Sequence, residues 1–313
     1  MRRPCRITGW GTWLPEDSVT FRGGTRYRIA PEVSHLDMLV HAARAAIGRA
    51  GLGPDDLDCV IAAVAAGIQP IPCTAALVME QVAPDAPAAA FDVNSTCTSF
   101  ITALEVASRY LADGTYRRIL IVSGDVGSRF LNPEQPESFE LFSDAGAAVV
   151  LETAEAPSPA AGVLCSRQRT WPRHAHDTEL RGGLSRFPAR DYADTDPRDH
   201  LFDMKGREAM IGMLKVLPGF FGEFFTESGL GIEDVDLFVP HQASAALRLA
   251  MHRIGIPEEK YVDRVAEYGN MVSSSVPYTL ATVLDEGRVG PGDTVVLCGT
   301  AAGLTVNALA LRL

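Results

Sequence analysis

The sequence predicts an α/β fold in which helices layer onto buried sheets, built from two similar halves. Three observations lead there. Almost unbroken apolar runs of strand length recur at 59–66, 88–93, 118–123 and 147–151, separated by segments whose apolar residues follow helical spacing. A glycine-rich signature occurs twice: residues 51–65 read GLGPDDLDCVIAAVA and residues 229–243 read GLGIEDVDLFVPHQA, with Gly, Leu, Gly, an acidic pair, Asp and an apolar run in one order. The strand and turn ILIVSGDVG at 119–127 is likewise answered by TVVLCGTAAG at 294–303.

Taken in order, residues 5–10 form a short strand, followed by a turn region through Trp13, Leu14 and Pro15. Leu36, Leu39, Val40, Ala43, Ala46 and Ile47 give a helix over 35–50, which Gly51 stops. A buried strand at 59–66, a helix at 74–82 and a strand at 88–93 follow. The last of these ends in small polar residues, and Phe100, Ile101 and Leu104 then recur at helical spacing. The segment 155–161, EAPSPAA, is the most linker-like, so the halves are expected at 1–158 and 159–313. Residues 166–202 lack periodicity and are expected as surface loop with short elements.

A net charge of -11 without any block of Lys and Arg excludes a nucleic-acid partner. The N-terminus has no apolar h-region and no uninterrupted apolar run is long enough for a membrane span, so a soluble cytoplasmic protein is expected. The six cysteines (Cys5, Cys59, Cys73, Cys97, Cys165, Cys298) show no CxxC pair and no Cys/His metal spacing. Five of them read as reduced, buried or partly buried thiols, and no metal is expected.

Cys97 is different because it falls at a strand-to-helix turn, in AAAFDVNSTCTSFITAL. There the helix dipole and loose amide donors favour a nucleophilic thiolate. A small apolar filler is the competing reading of any free cysteine. Under the two-half symmetry, the loop of Cys97 faces those of His241, at the strand end in LFVPHQAS, and Asn270, in AEYGNMVSSSVP. A structural histidine and an ordinary Gly-Asn turn are the bland alternatives. Together Cys, His and Asn suit acyl-thioester chemistry. The thiolate attacks a thioester, and an enolate formed by decarboxylation needs hydrogen-bond donors, which a neutral His and an Asn amide supply. Asn cannot act as a base.

These motifs resemble the β-ketoacyl-acyl carrier protein synthase III family of thiolase-fold condensing enzymes. The resemblance spans essentially the whole chain: ITGWGTWLPED, DVNSTCTSFITAL, LFSDAGAAVVLE, DMKGREAM, VPHQAS, YGNMVSSSVP and GDTVVLCGTAAGLT stand in the family's order. It implies a five-layered αβαβα core and a homodimer. It also implies Cys97 as nucleophile, His241 and Asn270 as the decarboxylation pair, and the backbone N–H of Ala302 as an oxyanion donor. No cofactor is bound permanently; acyl carrier protein or coenzyme A thioesters are the substrates, with acyl carrier protein as partner.

Departures from the family bear on the substrate. The segment after the first motif is short and lacks the family's Trp that stacks on the adenine of coenzyme A, leaving Arg22 and Gly24 of the later motif. Pro136 stands where a second coenzyme A contact, an Arg, is usual, and Ala246 stands where an Arg follows the HQAN motif. Arg248 and Arg253 lie further along that helix, so Arg22 and Arg248 remain as weak contacts for a carrier or its phosphopantetheine. A primer delivered by a carrier protein or another thioester rather than by ordinary acetyl-coenzyme A, in polyketide or other secondary-metabolite synthesis, is therefore expected. Simple acyl transfer to a hydroxyl or amine, and a non-catalytic partner subunit, are the alternatives.

Overall fold

The computed structural model describes residues 2–154 and 161–313. The first half contains β1 (Arg6–Trp13), the hairpin β2 (Ser18–Phe21) and β3 (Gly24–Tyr27), α1 (His35–Arg49), β4 (Cys59–Ala63), α2 (Thr74–Val82) and β5 (Ala89–Val93). It continues with α3 (Ser99–Ala112), β6 (Arg118–Asp125), α4 (Pro136–Phe139) and β7 (Ala145–Glu152). The second half contains β8 (Gly162–Thr170), the short pair β9 (Thr178–Glu179) and β10 (Asp203–Met204), α5 (Gly206–Ser228), β11 (Leu237–Pro240) and α6 (Leu247–Ile254). It ends with α7 (Val265–Tyr268), α8 (Ser275–Asp285), β12 (Thr294–Ala301) and β13 (Thr305–Arg312).

The duplication read from the sequence is present in the sheets. The first has the order β1-β7-β6-β4-β5 and the second the order β8-β13-β12-β11. In each, the first two pairings are antiparallel and the next is parallel. The counterpart of β5 shrinks to one bridge between Phe238 and Tyr261. The repeated glycine and aspartate signature has a local cause. Gly53 and Gly231 each donate a backbone N–H to the carboxylate three residues on, Asp56 and Asp234, closing a single helical turn. Asp58 then accepts N–H bonds from Arg117 and Arg118, and Asp236 accepts one from Thr294, which fixes where each parallel pair of strands starts.

Three apolar clusters make five layers. α1 and α2 cover the outer face of the first sheet through Met38, Leu39 and Val78 against Val60, Leu120 and Val122. α3 and α8 lie between the sheets, where Phe100, Leu104, Val276 and Leu280 meet Ile61 and Ile121 on one side and Val295 and Leu297 on the other. α5 and α6 cover the outer face of the second sheet through Phe220, Phe224 and Met251 against Phe238, Val296 and Ala308. The central strands of both sheets are buried on both faces, which is why they read as apolar runs without polar alternation.

One sequence expectation changes. Residues 166–170 are not loop but the end of β8, paired with β13. Its polar stretch Ser166–Thr170 hid it, because Arg167 and Arg169 on this edge strand reach across to Glu223 and Glu227 of α5. α5 itself is long and apolar enough to cross a membrane by length and composition. It instead lays Leu217, Phe220, Phe221 and Phe224 onto the second sheet. The linker at 155–161, and with it the boundary at 158, lies outside the described residues apart from Ala161.

α1 starts at a capping box of Ser34 and Asp37 and packs tightly on β1 because β1 has glycines at the contact. A Cβ added to Gly11 would sit 2.4 Å from the Ala42 carbonyl oxygen and 2.6 Å from the Ala45 Cβ. Gly11→Ala should therefore destabilise the protein by about 1–3 kcal/mol, read as a lower urea midpoint at unchanged slope. An unchanged midpoint would contradict this packing.

Candidate active site

Cys97 sits in the single 3-10 turn Thr96–Thr98 between β5 and α3. Thr96 is held at φ 52, a left-handed conformation costly for a β-branched residue. The Asn94 side chain stabilises it by accepting the Thr96 N–H at 2.9 Å while donating to the Ala65 carbonyl at 2.9 Å. Ser95 donates its N–H to Ser99 Oγ at 3.0 Å.

The second half builds the same loop before α8. Val272 is held at φ 52, Asn270 accepts its N–H at 2.9 Å and donates to the Ala243 carbonyl at 3.1 Å, and Met271 donates its N–H to Ser275 Oγ at 3.0 Å. Asn270 is thus the counterpart of Asn94, and Ser273 that of Cys97. The Asn270 backbone is clamped as well, its N–H on Leu141 O and its carbonyl taking the Ser143 N–H, both at 2.9 Å.

His241 directly follows β11, with its backbone N–H on the Cys298 carbonyl at 2.7 Å. It lies close to the Cys97 turn only because residue 299 is glycine. An added Cβ there would be 2.7 Å from His241 Cβ and 3.5 Å from Thr98 Cγ2. Burial alone lowers the His241 pKa to about 4, so the imidazole is neutral at physiological pH. Its Nδ1 is buried without a hydrogen-bond partner among the described residues. From the other side, the loop after β12 turns its Ala302 N–H toward the Cys97 thiol, which the N–H of Cys97 itself also faces. Ala302 needs no special backbone conformation, since Gly303 (φ 79) and Leu304 (φ 44) take the left-handed positions of this turn.

The thiolate expected from the sequence is corrected. Cys97 is partly exposed as a residue, yet its pKa is pushed up to about 12, by burial first and by the negative charge of Asp125 second. The two amides oppose this without reversing it. The resting thiol is therefore protonated.

Asp125 is the residue the sequence did not single out. It is 2% exposed; one carboxylate oxygen accepts the N–H groups of Ala65 and Ala66 at 2.9 and 2.7 Å, and the other accepts the Ser273 N–H and hydroxyl. It joins the end of β4 in the first half to the Asn270 loop of the second. Its signal was the polar SGD ending an otherwise apolar strand. Arg26, also missed, buries its guanidinium against the Glu140 and Val265 carbonyls and ties the hairpin to α7, just before Asn270.

The remaining candidates lie apart from this cluster. Arg22 is exposed at the tip of the β2–β3 hairpin. Arg248 is on the exposed face of α6, where its guanidinium pairs with Asp263 at 2.7 Å. No group of His, Cys, Asp and Glu that could hold a metal ion occurs among the described residues.

Two duplicated sheets sharing a central helical layer, with a cysteine at the start of one inner helix facing a histidine and an asparagine from the other half, define the thiolase-fold condensing enzymes. Family models for 3-oxoacyl-[acyl-carrier-protein] synthase III match residues 91–170 and, for its C-terminal part, 225–313. The β-ketoacyl-[acyl-carrier-protein] synthase III of Symbiobacterium thermophilum is 34% identical over 99% of this chain and 98% of its own. The crystal structure of the 3-oxoacyl-[acyl-carrier-protein] synthase III from Aquifex aeolicus VF5 superposes with a TM-score of 0.86, 25% identical over the whole of both chains. That from Pseudomonas aeruginosa PAO1 does so with a TM-score of 0.86, 26% identical over 99% of this chain and 98% of that one. The chain belongs to the 3-oxoacyl-[acyl-carrier-protein] synthase III family.

Because the Asp125 charge raises the Cys97 pKa, Asp125→Asn should move the midpoint of iodoacetamide alkylation at Cys97 to lower pH and speed labelling at pH 8. Peptide mass mapping separates Cys97 from the other thiols. A midpoint that stays put or rises would show that the carboxylate does not reach the thiol electrostatically.

Proposed function

We propose that the protein is a ketosynthase III-like condensing enzyme that loads an acyl group on Cys97 and joins it to a malonyl-type carrier-protein thioester with loss of carbon dioxide. The observation that supports this most is the convergence of the Cys97 turn, the Ala302 amide, neutral His241 and the clamped Asn270 amide from both halves.

In the first step the Cys97 sulfur attacks the donor thioester. The acyl carbon–sulfur bond of the donor breaks, the donor leaves as a thiol carrying the proton that Cys97 gave up, and the net change is a thioester exchange. The N–H groups of Ala302 and Cys97 face the sulfur and are within reach of the oxyanion of an adjoining carbonyl. In the second step the extender loses carbon dioxide, and its electron pair is held as an enolate. One N–H of the Asn270 amide is spent on Ala243 and the other remains for that oxygen. Neutral His241 supplies the second donor without placing a positive charge in a buried site.

The primer is delivered as an acyl-carrier-protein thioester, supported by the absent adenine-stacking Trp and by Pro136 and Ala246 in the usual Arg positions. The reading includes a cytoplasmic homodimer serving polyketide or other secondary-metabolite synthesis, consistent with six free thiols.

Incubation with acyl-carrier and acyl-coenzyme A donors and then labelled malonyl carrier protein tests this. Protein mass should increase at Cys97, and carbon dioxide should be released with formation of a β-ketoacyl product. Cys97→Ala should lose the adduct. Asn270→Ala should keep it but slow condensation by about 10²–10³-fold, as for loss of one oxyanion donor. An adduct without carbon dioxide would sink the condensation.

The depressed His241 pKa sets the pH dependence. A neutral donor with a pKa of about 4 is lost only as pH falls toward that value, so decarboxylation by acyl-loaded protein should be flat between pH 5 and 8. Loss of rate with a midpoint near 6.5 would mean that His241 titrates as a solvated histidine.

A further inference from the structure

A small cavity of about 50 Å³ lies between α5 and α6, against His241. Its shape follows from helical spacing. Met213, Leu217 and Phe221 form one stripe of α5, four residues apart. Opposite stand Ala246, the N-cap of α6, and Ala250 one turn on, whose short side chains leave the gap. At the ~30 Å³ share of one water-sized group, a cavity of about 50 Å³ has room for roughly two such groups. The cavity therefore suits a short alkyl branch.

Its position says which substrate owns that branch. The wall nearest the site is Gly299, His241 and Ala243, and Ala243 is the residue whose carbonyl holds the Asn270 amide. Cys97 does not line it. On β12, the cavity touches Cys298, which faces α5 and α6, whereas the neighbouring Leu297 faces α3 and the core between the sheets. A primer chain hangs from Cys97. The extender's thioester carbonyl, in the function proposed above, rests on His241 and Asn270, and its C2 is one bond away from that carbonyl.

We propose that this cavity receives an alkyl substituent at C2 of the extender, so that the protein accepts alkylmalonyl thioesters as well as malonyl. The inference rests on the condensing reading. The chemistry is that of the unbranched reaction. Loss of carbon dioxide breaks the C2–carboxylate bond and leaves the electron pair on C2. C2 then bonds to the acyl carbonyl on Cys97, and the acyl–sulfur bond breaks. The departing Cys97 thiolate takes one proton from solvent, and the β-ketoacyl product keeps its branch at C2.

The test compares kcat/KM for malonyl, ethylmalonyl and propylmalonyl carrier-protein thioesters on acyl-loaded enzyme, with products identified by mass. Ethylmalonyl should react within about tenfold of malonyl. One methylene in an apolar pocket is worth roughly 10–200-fold, so Ala246→Leu, which fills the gap, should lower the ethylmalonyl to malonyl ratio at least tenfold. Met213→Ala, which enlarges it, should raise the propylmalonyl to ethylmalonyl ratio by a similar factor, and it decides the matter if the Leu variant does not fold. Condensation with malonyl alone, or ratios that neither variant moves, would overturn the cavity's role and leave the condensing reading intact. Condensation with none of the three extenders would overturn both.

Discussion

One buried carboxylate holds the geometry of the candidate site together. Asp125 has no room for solvent, so its charge must be met by hydrogen bonds, and the groups that meet it come from both halves of the molecule. Ala65 and Ala66 belong to the loop above the first sheet, and Ser273 follows Asn270 above the second. Withdrawing any of these partners leaves a buried charge short of a bond, which costs far more than an exposed hydrogen bond is worth. The two loops are thus held in a fixed relation by an interaction that neither half contains alone.

That relation uses a duplicated loop for two tasks. The turn that strains Thr96 and the turn that strains Val272 share their hydrogen bonds atom for atom, down to the side-chain amides of Asn94 and Asn270. In one copy the residue after the strained position is Cys97, and in the other it is Ser273, which has become Asp125's partner. One copy of the motif presents the thiol proposed as nucleophile. In the other, the same asparagine is 5% exposed and clamped by the backbone of Leu141 and Ser143, where it is suited to hold an oxyanion.

The electrostatic character of the site follows from its burial. His241 is kept neutral and the Cys97 thiol protonated for the same reason, the cost of charge in a poorly solvated place. The N–H of Cys97, at the helix start that the sequence suggests, does face the thiol, and the Ala302 N–H joins it from the loop after β12, but desolvation and Asp125 outweigh both. A site arranged in this way spends its donors on charge that arises during reaction rather than on charge at rest.

The sequence by itself determined the layered α/β fold and the duplicated pattern within it, and it singled out Cys97, His241 and Asn270 as candidates. Apolar runs, helical spacing and a repeated glycine–aspartate turn are local patterns, and each is written in consecutive residues. The motifs around Cys97, His241 and Asn270 were legible for the same reason. The tertiary structure alone decided what lies between distant segments. Arg167 and Arg169 made β8 read as loop because their carboxylate partners sit on α5, more than fifty residues away. Asp125 looked like an ordinary strand end until the fold brought Ser273 to it. Arg248 was a free cation in the sequence and is a paired one in the fold, and the Cys97 pKa followed the surrounding packing rather than its own helix. Hydrogen bonding, burial and charge proximity are properties of space, and a linear pattern records them only where the partners are also neighbours in the chain.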